Sequence, residues 1–331
     1  MRIAIVKLSA IGDIIHSMVV LQFIKQKYPN SVIDWFVEDS LKGVLENNPH
    51  ISNIQTIRFS EAKRKKSLVI LINEITKLRK LKKYDFVIDI QNLIKSAVVA
   101  RLIPSVRTIG LDKNSSRERL ASIFYSEKYL IEHSMNVIKR NVTIISDSLK
   151  IQIRHDDIIK KSPFLFFNSF SFSGLISKKK PNILLIPGAS FKSKIYPVSK
   201  YAQLSEKINA NFIVVWGSSS EKKIAQQIKL LSPQVSITSK LSIDNLKALI
   251  ASVDLIIGSD TGPTHMAWAL NKPSITLFGP TPGYRNTYKT NINKVIESDS
   301  IVNPLNINKN DNSIKNIDVN EIIKTALTLI N

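Results

Sequence analysis

The chain has 331 residues, 47 Lys and Arg against 26 Asp and Glu, a formal net charge of +21, 44% hydrophobic residues and no cysteine. At about 100–200 residues per domain that length suggests two domains with ample apolar content for two cores, which excludes a disordered basic tail or a small stapled scaffold. Without cysteine there is no disulfide framework, thiolate zinc site or cysteine nucleophile, which fits a reducing compartment with the cytoplasm as default, and the charge excess asks for an anionic partner: nucleic acid, a phosphorylated small molecule or an acidic membrane face.

The N-terminal run MRIAIVKL is broken by Lys7 and followed by no small-residue cleavage site, so no cleaved leader is expected. Residues 2–7 read as a buried strand. Ser9-Ala10-Ile11-Gly12-Asp13 follows, and then the helix-period apolar residues Ile14, Ile15, Met18, Val19, Leu21, Phe23 and Ile24. Tyr28-Pro29-Asn30 stops that helix; 31–37 and 54–58 read as strands with a turn at Asn47-Asn48-Pro49. Between Lys63 and Lys83, nine Lys/Arg and one acid, Glu74, interleave with Leu68, Leu71, Ile72, Ile75, Leu78 and Leu81, the pattern of one basic amphipathic helix. A strand at 85–90 and a helix at 92–102 continue the alternation that implies a parallel sheet covered by helices.

Between about Gln152 and Pro181 periodicity fails, and the domain boundary is placed there, giving a first domain at 1–165 and a second at 181–316. The alternation restarts with strands at 182–186, 212–216, 253–257 and 274–278, and with helices from Pro197, from Glu221 and over 243–251. The Asn-rich stretch 300–316 is weakly patterned. A closing helix at about 317–331 is expected to return to the first domain. No uninterrupted apolar run approaches the ~18–20 residues that span a bilayer, so membrane contact would be made from the surface.

Ligands of parallel α/β sheets bind beyond the carboxyl ends of strands. In the first such loop Gly12 permits a tight turn and Asp13 sits at a helix start, where it is either a cap or a functional carboxylate; the G-x-G-x-x-G dinucleotide fingerprint is absent. In the second, Gly188–Pro197, Ser190 offers a hydroxyl and Lys194 a compact charge suited to phosphate, while Lys192 reads as a solvated lysine. In the third, Gly258-Ser259-Asp260-Thr261-Gly262-Pro263-Thr264-His265, a Gly-rich turn opens onto a helix N-terminus suited to a diphosphate. Capping by Asp260 or Thr261 is compatible with that reading, and His265 alone reads as structural. Glu221, after Trp216-Gly217-Ser218-Ser219-Ser220, could accept from ribose hydroxyls or favour the helix dipole.

Taken in order, VKLSAIGDIIHSM, DIQNLIKSA at 89–97, SSRERLASIFY at 115–125, SFKSKIYP at 190–197, VVWGSSSE at 214–221 and SDTGPTHMAWAL at 259–270 resemble the bacterial lipopolysaccharide heptosyltransferases of glycosyltransferase family nine. The likeness covers nearly the whole chain. It implies an α/β GT-B fold of two Rossmann-like doubly wound parallel-sheet domains facing across a cleft, the second holding ADP-heptose and the first the acceptor. Within the family the pattern is nearest those members that place the first heptose on the first Kdo of Kdo-lipid A. The resemblance implies Asp13 as catalytic base. It implies Ser190, Lys194, Glu221, Leu241 (near the adenine, often Met in the family), Asp260, Thr261, Gly262 and His265 as the donor site. Ala189 departs from a position that often bears a hydroxyl. Gly12, Arg58, Lys63, Arg64, Lys95 and Arg117 match positions that grip the anionic acceptor, with residues 60–70 aligning poorly.

Such transfer needs a base for the acceptor hydroxyl and stabilisation of the departing diphosphate, which suits an inverting single displacement. No Asp-x-Asp triplet or His/Cys cluster stands out, so neither metal nor other cofactor is expected, and His155-Asp156-Asp157 reads as a solvated run. A monomer working at the cytoplasmic face of an anionic inner membrane is expected. Two alternatives stay open: a family member extending an already heptosylated core, and a nucleic-acid-binding protein, against which no recognition motif is present.

Overall fold

The computed structural model describes residues 1–304 and 306–330. The chain forms two compact units, Met1–Phe166 and Phe167–Asn331.

The first unit holds strands β1 (Arg2–Val6), β2 (Val32–Glu38), β3 (Asn53–Ile57), β4 (Tyr84–Asp89), β5 (Ser105–Leu111) and β6 (Glu127–Tyr129). They form one parallel sheet in the order β3-β2-β1-β4-β5-β6. Its helices are α1 (Ile11–Met18), α2 (Val20–Lys27), α3 (Phe59–Lys65), α4 (Leu68–Arg79), α5 (Ile94–Leu102), α6 (Val137–Leu149) and α7 (His155–Ile159). Ile3, Ala4, Ile5 and Val6 are fully buried, the continuous apolar run of a strand covered on both faces.

The basic stretch Lys63–Lys83 is not one helix. Lys66 takes a left-handed conformation (φ +50°) that ends α3, and the Ser67 hydroxyl accepts the Ile70 N–H at 3.3 Å to cap α4. A helical apolar period carried no mark of that break, because Lys66 is an uncommon residue for the left-handed region. Strands β5 and β6 and helix α6 were not anticipated. β5 opens on the exposed Val106 and Arg107, so its run is only half apolar, and α6 is announced chiefly by its cap, Asn136, which accepts from Ile138 N–H at 2.9 Å.

The second unit repeats the plan with β7 (Asn182–Ile186), β8 (Asn211–Val214), β9 (Ser236–Ile237), β10 (Leu255–Ser259), β11 (Ser274–Phe278) and β12 (Asn293–Glu297). All pair in parallel, in the order β12-β11-β10-β7-β8-β9. Its helices are α8 (Val198–Lys207), α9 (Ser219–Leu231), α10 (Ile243–Ser252), α11 (Gly262–Ala269), α12 (Gly283–Asn286) and α13 (Val319–Ile330). The expectation that the closing helix returns to the first domain is corrected: α13 packs on α8, with Val319, Ile322 and Ala326 in the same core as Ile183, Leu204, Leu255 and Ile275. Its lead-in is anchored there too, because the Ile317 carbonyl accepts from Tyr196 OH at 3.0 Å and Lys200 Nζ at 2.6 Å. A stripe at i, i+3 and i+7 demands an apolar partner but does not say which. The units divide at Phe166/Phe167, so 167–180 and the closing helix both belong to the second. Among the described residues no helix is long and apolar enough to cross a membrane.

Each sheet reverses its strand order once, between β1 and β4 in the first unit and between β7 and β10 in the second. A crevice opens beyond the carboxyl ends at such a point because the helices that follow depart to opposite faces.

Candidate functional site

In the first unit the loop after β1 delivers Asp13 as the third residue of α1, exposed to solvent. Asp13 Oδ2 accepts the Ala10 N–H at 3.3 Å, so the carboxylate caps its own helix. Gly12 is the second residue of the helix. Across the switch point, Gln91 Oε1 accepts the N–H groups of Leu8 (2.7 Å) and Ser9 (3.1 Å), tying the end of β4 to the loop that presents Asp13.

Gln91 is itself held from below. Asp89 Oδ1 accepts the N–H groups of Gln91 (2.9 Å) and Asn92 (3.0 Å), and Oδ2 accepts the Tyr125 hydroxyl at 2.8 Å. Burial pushes the Asp89 carboxyl up, against these hydrogen bonds, and pushes the Tyr125 phenol up as well. Gly110 makes room: a Cβ there would stand 2.2 Å from the Tyr125 ring. Gln91 lies in the motif DIQNLIKSA, where the sequence alone assigned it no role. Its signal was position, the loop after the strand beside β1. On the role the resemblance implies for Asp13, a base whose misplacement by about 1 Å can cost on the order of a hundredfold, Gln91→Ala should lower kcat by about ten- to a hundredfold with ADP affinity unchanged. Gln91→Glu, which keeps the accepting oxygen, should recover most of the loss in the same steady-state assay.

The basic candidates follow neighbouring strands. Arg58, after β3, donates through Nε to the buried Glu74 at 3.0 Å, and that hydrogen bond and charge raise the guanidinium pKa further. Lys95, in the first turn of α5, pairs with Glu38 at the end of β2, whose other oxygen accepts the Ser60 N–H at 3.3 Å. Both cations keep part of their side chains exposed, but each already has a carboxylate partner. Lys63 and Arg64 lie exposed on α3, and Arg117 lies exposed in the loop after β5.

In the second unit the loops after β7 and β10 meet. Lys194 Nζ donates to Asp260 Oδ2 at 2.8 Å, and His265 Nε2 lies 2.8 Å from Asp260 Oδ1. Thr281 donates to Oδ2 at 2.9 Å and Asn286 does so at 3.4 Å. The Lys194 and Asp260 side chains are only 8% and 9% exposed. Burial pushes the Asp260 carboxyl up, yet the His265 hydrogen bond and the Lys194 charge outweigh it and hold Asp260 well below the usual carboxylate range. Lys194 is therefore the buried partner of Asp260 and not a loop lysine reaching into solvent.

Thr261 is the N-cap residue of α11, but its side chain makes no capping bond. Its hydroxyl lies 3.2 Å from that of Thr264, which donates to the Ser259 carbonyl at 2.8 Å. The N-terminus of α11, with Gly262 as its first residue, thus opens beside the Lys194–Asp260 pair, an arrangement that favours anionic oxygen atoms. Glu221 Oε2 accepts the N–H groups of Gly217 (2.6 Å) and Ser218 (3.0 Å), and a Cβ at Gly188 would fall 2.5 Å from Oε1. Only glycine at 188 lets that carboxylate sit over the loop after β7. Ser190 is exposed in this loop, and Leu241 is half-buried after β9. Thr281 and Asn286 were missed, although GPTPGYRN after β11 obeys the same loop rule as the others. Among the described residues, no three His, Asp or Glu side chains gather as a metal ion would need.

Two doubly wound halves, each with functional groups at its switch point, are the GT-B layout of a glycosyltransferase. Residues 75–309 match the model of glycosyltransferase family 9 (heptosyltransferase). The chain is 38% identical to lipopolysaccharide heptosyltransferase 1 of Campylobacter coli, over 99% of both chains. Its fold matches Escherichia coli heptosyltransferase WaaC with ADP at a TM-score of 0.80 and 22% identity, covering 99% of each chain. The same enzyme with ADP-2-deoxy-2-fluoro heptose matches at 0.78, again at 22% identity and 99% of each chain. The chain belongs to glycosyltransferase family 9, the heptosyltransferases.

Proposed function

We propose that this heptosyltransferase moves heptose from ADP-heptose to the first Kdo of Kdo-lipid A, with inversion at the anomeric carbon, at the cytoplasmic face of an anionic membrane. The observation that carries the reading is the 38% identity to a lipopolysaccharide heptosyltransferase 1 along 99% of both chains. Asp13 takes the proton of the acceptor hydroxyl as its oxygen forms the new bond to the anomeric carbon. The bond from that carbon to the diphosphate breaks, and ADP leaves with the electron pair.

The diphosphate is met by Lys194 and by the N-terminus of α11 at Thr261 and Gly262. Asp260 and His265 hold Lys194 in place, and preorganised charge of this kind acts without reorganising during the reaction. Glu221 Oε1 accepts the ribose hydroxyls, Ser190 lies along the phosphates and Leu241 packs near the adenine. Gly12, Arg58, Lys63, Arg64, Lys95 and Arg117 face the carboxylates and phosphates of the acceptor. For Arg58 and Lys95, binding means sharing a cation that already serves Glu74 or Glu38.

Purified protein given ADP-heptose should add the mass of one heptose to Kdo-lipid A carrying no heptose, read by mass spectrometry. Product formed only on an already heptosylated core would replace the proposed acceptor with that one.

A further inference from the structure

The break at Lys66 leaves an exposed aliphatic face that has no part in the transfer proposed above. Leu68, Val69 and Ile72, in the first two turns of α4, are 72, 66 and 60% exposed, while Glu74 and Leu78 on the same helix are buried. Ile70, Leu71 and Ile75 are half-buried. The core of the unit takes one side of α4 through Leu78 and leaves the aliphatic side of its N-terminal half uncovered. Immediately before it, Lys63, Arg64, Lys65 and Lys66 are all exposed, and Lys65 pairs with Glu61 at 2.7 Å. α4 packs on α5, and α5 packs on the turn Arg119–Phe124. That turn exposes Leu120 and Ile123 at 65 and 67%, beside the exposed Arg117 and Arg119.

We propose that the α3–α4 elbow is a membrane-docking surface that inserts Leu68, Val69 and Ile72 among the acyl chains of an anionic bilayer while Lys63–Lys66 meet its headgroups. Charge complementarity selects this occupant. Aliphatic side chains next to a cluster of cations match the two layers of an anionic lipid surface, where apolar insertion and headgroup attraction act together. The surface is also continuous with α3, whose Lys63 and Arg64 are assigned above to the acceptor, so a docked elbow would sit where a lipid-anchored sugar emerges. In that respect the proposal rests on the reading of the acceptor as a glycolipid. The turn Arg119–Phe124 supplies a second, smaller contact through Leu120 and Ile123.

The test is co-sedimentation of the full chain with vesicles of phosphatidylcholine, alone or mixed with phosphatidylglycerol. The parent protein should bind the mixed vesicles and release in high salt. The triple variant Leu68→Ser/Val69→Ser/Ile72→Ser should bind them at least about tenfold more weakly, since burying even one such aliphatic side chain is worth roughly tenfold in partitioning. Leu120→Ser/Ile123→Ser, at a separate exposed site, should shift binding in the same direction and keeps the test available if the triple variant is unstable. Both variants should match the parent on a Kdo acceptor stripped of its lipid chains. Undiminished vesicle binding by the variants, or equal binding of the parent to neutral and anionic vesicles, overturns the proposal. So does a change of molar mass in the triple variant with vesicle binding intact, which would make the face a contact between copies. Failure of the parent to act on the lipid-free acceptor would count against the proposed transfer and leave the vesicle result standing.

Discussion

Asp13→Asn should lose transfer by about a hundred- to ten-thousandfold, the usual worth of a positioned general base, while binding ADP as the parent does. The choice of Asn matters because Asp13 both caps its helix and is the proposed base. Its Oδ2 caps α1 through the Ala10 N–H, and loss of such a cap by truncation to Ala would cost about 0.5–2 kcal/mol of stability whatever the chemistry. Asn keeps an accepting oxygen for the cap and removes the basic oxygen. A thermal melt close to the parent's, together with collapsed turnover, assigns the loss to proton transfer. Retained turnover sinks the base assignment, and calorimetric titration with ADP, whose proposed site is on the other unit, shows whether donor binding is untouched.

The second large effect is on stability. Asp260→Ala leaves Lys194 buried without its carboxylate partner, and breaking a buried pair on one side costs about 3–5 kcal/mol. For a unit of this size that is about 6–20 °C in Tm. Truncating both partners, Asp260→Ala/Lys194→Met, should recover part of that loss in Tm without recovering donor binding, because the charge orphaned by the single change is gone while the proposed phosphate contact is not restored.

The pH dependence has a definite sign. Asp260 is held below the usual carboxylate range in the folded protein, so below pH of about 4 the unfolded chain takes up a proton that the folded chain refuses. The contribution of Asp260 is complete above the ordinary carboxylate value, declines as pH falls beneath it, and is gone below the folded value. The parent should therefore lose Tm more steeply than Asp260→Asn between pH 5 and pH 3. Parallel slopes would mean that the pair does not hold the carboxylate down.

Loops after buried strands were legible because the signals are local: Gly12 and Asp13 after β1, Ser190 and Lys194 after β7, and the glycine-rich run at 258–262 that closes β10 and opens α11. An apolar run flanked by small residues identifies a strand and its carboxyl end with no knowledge of partners. The basic stretch at 63–83 was legible as helical and amphipathic but not as two helices, since the break rests on one residue's backbone dihedral at Lys66. Nor did it show that the aliphatic side of α4 stays exposed. For the closing helix, the stripe Val319, Ile322 and Ala326 was visible and its partner was not, because an apolar face specifies burial without specifying against what.

The βα alternation was enough for two doubly wound halves, and the resemblance carried by the ordered motifs was enough for the family. Pairings that cross the chain were decided only in three dimensions. Lys194 and Asp260 are 66 positions apart and Gln91 is 83 from Leu8, and each pair meets because parallel pairing puts β7 beside β10 and β1 beside β4. Hydrogen bonds and ion pairs act over about 3 Å, so a role that depends on them, such as the buried Lys194 or the bracing Gln91, exists only once the sheet has closed that distance.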